Sequence, residues 1–378
     1  MPRWVMPRWV RQGWIWWLPL VVVVADVTAE FALGGREPVS FLLIGVPPLV
    51  AATRGPRGTA AATVVCLALQ MWMAWRRPGH FGEQHHVAMY FGTLVIGIAS
   101  TALARQRERT REHLIRANSV AEAMQKTLLR PVPPRLGPVR AAGFYAAGEG
   151  GLLVGGDLYD VCGTPFGVRA IIGDVRGKGM DAVQTVAAVL GSFRVSAHEW
   201  KHLSSLADRL ELSIARNSPA GEAGDPELFV TALVLEFPAA AEPGGEARDG
   251  EVRIVNRGHP EPIVVGAKGA RRLVTSPSLP LGLGGLSPGG ADTTVHRLAP
   301  GEVLVVHTDG VNEARDARGV FYPVLDRLAE RFGGQEAPDP AAVVSFVRAD
   351  SERWSATVDN DDRAILAVTL TGGGVAGR

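Results

Sequence analysis

Five aspartates stand at the ends of short apolar segments that are far apart in the chain. They are Asp157 in GGDLYD, Asp174 in GDVRGKGMDA, Asp309 in TDGVNEA, and Asp361 with Asp362 in DDRAILAV. One aspartate beside a glycine is usually an ordinary turn, since both residues favour turns. Carboxylates at the ends of several separate strands instead supply the oxygen ligands that hard divalent cations prefer. The pattern therefore predicts a site for divalent metal ions.

The segments around these aspartates predict a soluble α+β domain over about 139–372. Short stretches rich in Val, Ile and Leu predict strands at 140–147, 151–161, 167–174, 228–237, 251–257, 262–265, 302–307 and 363–369. Helical periodicity covers 180–197, 202–217, 324–331 and 340–354. The strands mostly follow one another instead of alternating with helices, which favours antiparallel sheets over a doubly wound parallel sheet.

The first 104 residues have a different composition, with seven of the nine tryptophans but only four of the 38 acidic residues. Apolar runs predict four membrane spans, near 13–33, 38–53, 58–75 and 87–104, since a bilayer needs roughly 20 apolar residues per helix. The second run is short and should kink at Pro47-Pro48. Arginines cluster before the first span, between the second and third, and after the fourth, which predicts cytoplasmic termini. We therefore expect a multi-pass protein of the cell membrane with a cytoplasmic C-terminal domain.

Two acids within the first span, Asp26 and Glu30, are four residues apart and would share one helix face. Carboxylates inside a bilayer are costly and usually face the interior of a bundle, which would suit a sensor of protons or of a ligand. The sequence favours the simpler interpretation that the helix already reaches the outer interface there, because Gly34-Gly35 follows closely.

A helical connector over 105–135 joins the two regions. Its apolar residues follow the 3-4-3-4 spacing of a coiled-coil seam, at Leu114, Ala117, Ala121, Met124 and Leu128. Two heptads are too few to decide between a parallel homodimer and one amphipathic helix that packs on its own domain. Prolines from Pro131 onward should end the helix.

Charge and cysteine content exclude other classes of protein. Residues 141–378 contain 31 Asp and Glu against 22 Lys and Arg, a formal net charge of −9, which argues against nucleic acid as a partner. The two cysteines, Cys66 and Cys162, exclude a disulfide framework and a cysteine-rich zinc site. Four short spans with one acidic pair also make a transporter or channel a poor interpretation.

The ordered motifs GGDLYD, GDVRGKGMDA, ELFVTALVLEF, NRGHPEP, LPLGL, TDGVNEA and DDRAILAV resemble bacterial metal-dependent protein phosphatases of the PPM (PP2C-like) class. The sequence is most similar to the SpoIIE/RsbU-like group, which acts in sigma-factor partner switching. The resemblance covers about Met124 to Leu370, and it does not extend to the predicted membrane region. It implies a PPM-type α/β sandwich, in which two mainly antiparallel sheets are flanked by helices.

The resemblance also implies a role for each aspartate. Asp157 would serve a second metal ion directly or through water, and Asp174 would bridge two ions, with the Val175 carbonyl as a further ligand. Asp309 and Asp361 would hold the first ion. The two ions, Mn²⁺ or Mg²⁺, would activate a water for in-line attack on phosphorus. The implied substrate is a phosphoserine or phosphothreonine of an anti-sigma-factor antagonist.

Several positions leave alternatives open. Arg176 follows GDV where this group more often has serine, and it would either help to hold the phosphate or face solvent. The last motif begins Asp361-Asp362-Arg363-Ala364, with alanine at the position where this group usually has threonine. Asp362 could therefore replace Asp361 as the ligand. His259 is expected to hold a turn, and no residue is assigned as general acid. A pseudophosphatase that signals by binding is the alternative function, although the intact acidic set argues against it.

Overall fold

The computed structural model describes residues 16–32, 40–76, 84–148, 155–217, 228–239, 250–286, 290–355 and 361–371. The chain divides into two compact units, Met1–Leu114 and Ile115–Arg378. The division expected from sequence, at 1–104, 105–135 and 139–372, stays a prediction, and each unit is described by itself.

Helices form the described part of the first unit. They are α1 (Leu18–Ala32), a 3-10 helix (Ser40–Gly45), α2 (Val46–Thr53), α3 (Pro56–Trp75) and α4 (Gln84–Leu128), the last of which continues into the second unit. Among the described residues, two stretches are long and apolar enough to cross a membrane, Pro56–Trp75 and Gln84–Arg116, whereas the other apolar helices are shorter as far as they are described. The four predicted spans are therefore not confirmed as a set. The second is short because α2 begins at Val46 after the 3-10 helix, with proline in its first turn.

The first unit buries polar side chains and exposes apolar ones. Thr93 Oγ1 donates to Gln70 Oε1 over 3.0 Å, and both residues are buried. Asp26 is also fully buried, where its Oδ1 accepts from the Leu42 amide. Four large apolar residues are each more than half exposed, namely Val64, Trp75, Phe91 and Leu103. This arrangement is the one that lipid favours, because apolar side chains meet the hydrocarbon while polar groups pair inside.

Asp26 therefore does not lie at an exposed helix end, as the simpler interpretation of the sequence expected. It lies within α1 and faces the interior of the helices. The side chain of Glu30 and the glycines at 34–35 lie outside the described residues, so the predicted acidic pair is described only in part.

Two antiparallel sheets build the second unit. The first has the order β1-β2-β11-β10-β7-β8 and the second the order β3-β4-β5-β6-β9. The strands are β1 (Arg135–Leu136), β2 (Val139–Ala146), β3 (Asp157–Thr164), β4 (Gly167–Val175), β5 (Val230–Pro238), β6 (Glu251–Arg257), β7 (Ile263–Gly266), β8 (Gly269–Arg272), β9 (Thr293–Arg297), β10 (Val303–His307) and β11 (Arg363–Leu370). The helices are α5 (Met180–Glu199), α6 (Leu203–Asn217), α7 (Asp309–Asn312), α8 (Val324–Phe332) and α9 (Pro340–Trp354).

Alternation along the strands produces the layers of this unit. In β10, Leu304 and Val306 join the core shared with the second sheet, whereas Val303 and Val305 pack against the α8 and α9 side. Successive side chains of a strand point to opposite faces, so one apolar strand serves two cores. Helices α5 and α6 contact the second sheet. The result is a sandwich of two sheets between two pairs of helices.

All eight predicted strands are present, with shifts of a few residues at most ends. The strand predicted over 151–161 corresponds to β3, which begins at Asp157 after Gly155 and Gly156, whereas residues 151–154 of that prediction lie outside the described residues. Three strands were not predicted, namely β1, β8 and β9. Strand β9 alternates between exposed and half-buried residues and contains a single large apolar residue, so it has no apolar run to detect.

The end of α4 packs on its own domain. Gln125 is fully buried, and Leu128 packs against the core. Helix α4 ends at Leu128, three residues before Pro131. Leu114 and Met124 on the proposed seam are exposed, and the side chains of Ala117 and Ala121 lie outside the described residues. The last turn thus follows the amphipathic alternative, and the seam above it stays a prediction.

A buried ion pair ties the second sheet to the helices that cover it. Arg169 in β4 stands directly opposite Glu236 in β5, and both side chains are almost fully buried. The Arg169 Nε donates to Glu236 Oε2 over 2.8 Å. Its other nitrogens donate to the carbonyls of Ala197 in the last turn of α5 and of Trp200 and Lys201, which follow that helix. One guanidinium therefore satisfies the end of a helix and a buried carboxylate together.

We expect Arg169→Met to destabilise the second unit by about 3–5 kcal/mol, because it leaves the Glu236 charge buried without its main partner. Arg353→Met is the matched control, since Arg353 is largely exposed and its loss should cost less than about 1 kcal/mol. Urea unfolding of both variants measures the difference. Equal unfolding midpoints would contradict the structural role of Arg169.

Candidate metal centre

Two of the predicted site residues face each other across neighbouring strands. Asp157 begins β3 and stands opposite Asp174 near the end of β4. On its other side, Asp174 stands opposite Thr231 of β5. Asp157 is almost completely buried, whereas Asp174 is half-buried. The antiparallel register thus brings together two carboxylates that are 17 positions apart in the sequence.

Thr308 joins this pair to the first sheet. The Thr308 hydroxyl donates to Asp157 Oδ2 over 2.6 Å and accepts from the Ala364 amide over 2.9 Å. The Thr308 amide in turn donates to the Ala364 carbonyl. These bonds hold the end of β10 beside the start of β11, so that Asp309 follows Thr308 at the same edge of the sandwich.

The adjacent acids Asp361 and Asp362 have different surroundings. Asp362 is buried, with its Oδ2 accepting from the Tyr145 hydroxyl over 2.6 Å and its Oδ1 from the Gly148 amide over 3.1 Å. Asp361 is about half exposed, and its Oδ1 lies 2.8 Å from Lys178 Nζ. Asp362 is therefore fixed by neutral donors of the protein, whereas Asp361 pairs with a partly exposed lysine at the surface.

Glycines make the close approach to Asp362 possible. A Cβ on Gly155 would lie 2.3 Å from the Asp362 carboxyl carbon, and one on Gly310 would lie 1.9 Å from the Asp362 carbonyl oxygen. Real Cβ atoms do not approach other atoms so closely. The glycines of GGD and TDG are thus required for packing at this edge, in addition to any role of the aspartates beside them.

The side chain of Gln125, near the end of α4, contacts the residues at the same edge. Its Nε2 donates to the Asp157 carbonyl over 3.0 Å, and its Oε1 lies 2.9 Å from the Tyr145 hydroxyl. Since that hydroxyl also contacts Asp362, one buried amide side chain contacts the supports of two acids. Sequence reasoning did not identify Gln125, Tyr145 or Thr308, because their roles depend on contacts between distant segments.

Burial and mutual repulsion dominate the electrostatics of the site. Burial, followed by the charges of Asp309, Asp361 and Asp362, raises the pKa of Asp174 to about 7. Burial and the Asp174 charge raise the pKa of Asp157, against the effect of the Thr308 hydrogen bond. Burial also raises the pKa values of Asp309 and Asp362. Carboxylates that hold protons near neutral pH will release them to a cation that neutralises the cluster.

The donor set fits divalent cations that prefer oxygen. The five predicted ligand residues supply only oxygen atoms, and their mutual repulsion is the condition that a hard cation relieves. The Val175 carbonyl oxygen lies beside Gly156, where a Cβ would come within 2.3 Å of it. Within the described ranges, no three Asp, Glu, His or Cys side chains already stand in a metal-binding arrangement. The assignment of Asp157, Asp174, Val175, Asp309 and Asp361 as ligands therefore stays a proposal.

Two other residues considered from sequence play structural parts here. His259 is buried in a turn in which its amide donates to Asn256 Oδ1 and its carbonyl accepts from Asn256 Nδ2. Its Nδ1 also lies 3.0 Å from the Thr231 hydroxyl, beside Asp174. Burial raises the pKa of the Cys162 thiol to about 12, so this cysteine does not supply a thiolate nucleophile.

Comparison with known proteins identifies the second unit. The family model described as Stage II sporulation protein E (SpoIIE) matches residues 164–371. The PP2C domain of SiaA from Pseudomonas aeruginosa superposes with a TM-score of 0.51 at 14% identity, covering 69% of this chain and 97% of that domain. The unit therefore has the PPM-type α/β fold expected from the motifs. No curated protein sequence matches the chain.

Two further structures are similar at lower TM-scores. One is the SpoIIE phosphatase domain of Bacillus subtilis with part of its regulatory domain, at 16% identity, a TM-score of 0.49 and coverage of 62% of this chain and 64% of that one. The other contains the RsbU and RsbW domains of a Mycobacterium tuberculosis protein, at 20% identity, a TM-score of 0.48 and coverage of 65% and 62%. This chain thus spans less than two thirds of either protein chain.

We expect Asp361→Asn and Asp362→Asn to separate metal binding from stability. Asp361→Asn should weaken Mn²⁺ binding while the metal-free protein melts near the wild-type temperature, because Asp361 is half exposed. Asp362→Asn should lower the melting temperature, since its amide nitrogen would face the Tyr145 or Gly148 donor, at a cost of about 1–3 kcal/mol. Calorimetry of Mn²⁺ binding and thermal unfolding measure the two effects. Loss of Mn²⁺ binding in Asp362→Asn alone would reverse the assignment.

Proposed function

The chain belongs to the SpoIIE family, and from that premise we propose that it is a metal-dependent phosphatase acting on phosphoserine or phosphothreonine in proteins. Its second unit is a phosphatase domain of this family. The observation that carries the proposal is the convergence of Asp157, Asp174 and Asp309 with the pair at 361–362 at one edge of the sandwich. These acids come from both sheets. The charges of Asp309, Asp361 and Asp362 raise the pKa of Asp174, and the charge of Asp174 raises the pKa of Asp157.

In this proposal, Asp157, Asp174, Asp309, Asp361 and the Val175 carbonyl hold two ions of Mn²⁺ or Mg²⁺. Such ions activate water for attack on phosphorus and neutralise the charge of the phosphoryl group. The chain itself orients the ligands. Thr308 donates to one oxygen of Asp157, while Tyr145 and Gly148 donate to the two oxygens of the buried Asp362. Preorganised ligands lose little conformational freedom when a cation binds.

A pseudophosphatase that acts by binding alone is the alternative. The complete set of acids at the site favours an enzyme, because a binding module has no need to keep repelling carboxylates buried together. Neither thiol suits a phosphocysteine intermediate, since the Cys162 thiol has a raised pKa and Cys66 lies in the other unit, and direct hydrolysis by water needs no such intermediate.

The proposed substrate is a phosphorylated anti-sigma-factor antagonist, as the resemblance to the SpoIIE/RsbU-like group implies. The net charge of −9 over residues 141–378 provides no general attraction for phosphoproteins. Recognition should therefore depend on the fit of the substrate surface around the acidic edge, and on cations placed there locally.

We expect the full-length protein in detergent to hydrolyse a chromogenic phosphate ester and the phospho-antagonist of its own cell when Mn²⁺ is present, and neither with excess chelator. Asp174→Asn should lower turnover by more than about 100-fold. Mutation of residues that only hydrogen-bond to a metal ligand already lowers activity by about 10–100-fold, and Asp174 is proposed to be a ligand itself. Asp157→Asn should lower turnover less, because Asp174 is proposed to contact both ions.

Asp208→Asn is the matched control, because Asp208 is an exposed acid on α6. Mn²⁺-dependent turnover that survives in Asp174→Asn would contradict the metal site. Hydrolysis of the small ester without hydrolysis of the phospho-antagonist would contradict the substrate but leave the enzyme class intact.

We further propose that the first unit anchors the protein in a bilayer and that the helical connector pairs two copies. Two helices of sufficient length support the anchor, together with buried polar and exposed apolar side chains. The apolar seam supports the dimer, because Leu114 and Met124 are both exposed. The phosphatase domain would then lie on the cytoplasmic side of the cell membrane, as the arginine distribution predicts.

We expect the double variant Leu114→Asp with Met124→Asp to abolish dimers of the full-length protein in nanodiscs, because charge cannot pack in an apolar seam. These positions are exposed, so the change should leave the melting temperature of the phosphatase domain unaltered, and Glu112→Asp serves as a conservative control on the same helix. Sedimentation analysis measures the oligomer. A double variant with the wild-type oligomeric state would show that the connector is only a tether.

A further inference from the structure

The turn that follows Asp174 places two cations beside the acidic edge. Its sequence, Arg176-Gly177-Lys178-Gly179, connects the end of β4 to the start of α5. Gly177 and Gly179 have φ angles of 113° and 93°, which residues with a side chain rarely adopt. The backbone therefore turns sharply at both glycines, and the two long basic side chains leave from a short segment next to Asp174.

Arg176 is anchored at the mouth of the site. Its amide donates to the Phe229 carbonyl over 2.9 Å, and its guanidinium carbon lies 5.3 Å from the centre of the Phe229 ring. A cation above an aromatic face is attracted by the ring. The side chain remains exposed while its base is fixed. A guanidinium held in this way offers a rigid fork of donors that matches phosphate oxygens.

Lys178 has a different environment, because its ammonium contacts a proposed metal ligand. Lys178 Nζ lies 2.8 Å from Asp361 Oδ1, and the two side chains are 38% and 47% exposed. Ion pairs at such exposed positions contribute little to stability. A divalent cation bound to Asp361 would therefore displace the ammonium from that carboxylate readily, while Lys178 stays in the turn beside the site.

We propose that Arg176 and Lys178 together bind the phosphoryl oxygens of the substrate, with Lys178 transferring from Asp361 to the phosphate when a divalent cation binds that carboxylate. The inference rests on the proposed phosphatase function and deepens it. A dianionic phosphate approaching several carboxylates in a domain of net charge −9 needs cations placed locally. The turn supplies two such cations, Arg176, which packs on the Phe229 ring, and Lys178, which can exchange Asp361 for the phosphate.

The exchange at Asp361 predicts opposite effects of one substitution on two ligands. Lys178→Gln removes the internal competitor, so Mn²⁺ should bind Asp361 more tightly, by up to about fivefold. The same change removes a donor to phosphate, so inorganic phosphate should bind the Mn²⁺-loaded protein about tenfold more weakly. Arg176→Gln should weaken phosphate binding by a similar factor without tightening Mn²⁺ binding. If Lys178 had only a structural role, Lys178→Gln would instead weaken the binding of both Mn²⁺ and phosphate.

Calorimetry on the full-length protein in detergent tests these effects without turnover. Mn²⁺ is titrated into metal-free protein, and inorganic phosphate is then titrated into Mn²⁺-loaded protein. Lys178→Arg should restore phosphate binding in large part, because it retains the charge. Lys268→Gln is the matched control, since Lys268 is exposed between β7 and β8 at the opposite end of the sheet.

Unchanged phosphate affinity in both Arg176→Gln and Lys178→Gln would overturn the proposal, as would weaker Mn²⁺ binding in Lys178→Gln. Failure of the proposed function would look different, because the wild-type protein would then show no Mn²⁺-dependent hydrolysis of any ester. Steady-state kinetics on a phosphopeptide adds a second readout. Both Gln variants should raise KM more than they lower kcat, since binding of the phosphoryl group is the step affected.

Discussion

Repulsion among carboxylates is the constraint on which this domain depends. Folding brings Asp157, Asp174, Asp309 and the pair at 361–362 to one edge of the sandwich, where burial and neighbouring charges oppose their ionisation. Their mutual repulsion costs free energy as long as no cation neutralises it. The packed apolar cores of both sheets must therefore offset the free energy that the crowded carboxylates cost. The same repulsion makes the edge attractive to cations, which links the instability of the site to its chemistry.

Two features of the fold make this concentration of charge tolerable. The apolar alternation in strands such as β10 allows each strand to serve two cores at once, so the sandwich is well packed away from the edge. Neutral donors, namely Thr308, Tyr145 and the Gly148 amide, then satisfy individual carboxylate oxygens at the edge. Such donors fix the position of a carboxylate while they leave its net charge in place.

Local pattern was sufficient to predict the strands that carry the aspartates, because each is an apolar run ended by glycine or aspartate. It was insufficient for β8 and β9, which are short and largely polar, and whose positions depend on pairing with β7 and β6. The fold class followed from the order of the motifs. The supports of the site could not be predicted, since Gln125 and Tyr145 contact residues far away in sequence. The sequence predicted four spans with a short second one, and two helices among the described residues are long enough to cross a membrane. The second run divides into a 3-10 helix and a short helix with proline in its first turn, a division that hydropathy alone does not show.

The hydrogen bond from Thr308 to Asp157 joins the first sheet to the second across the open end of the sandwich. Asp157 and Asp174 belong to one sheet, and Asp309 and Asp361 flank strands of the other. An ion shared among them would act as a clasp between the two layers, closing a loop of more than a hundred residues in the way that a covalent cross-link does. Loss of that ion would then affect the stability of the domain in addition to its activity. It would weaken the contact between the two sheets at the open end of the sandwich. The supply of metal ions in the cell would then determine how long the protein stays folded as well as how active it is.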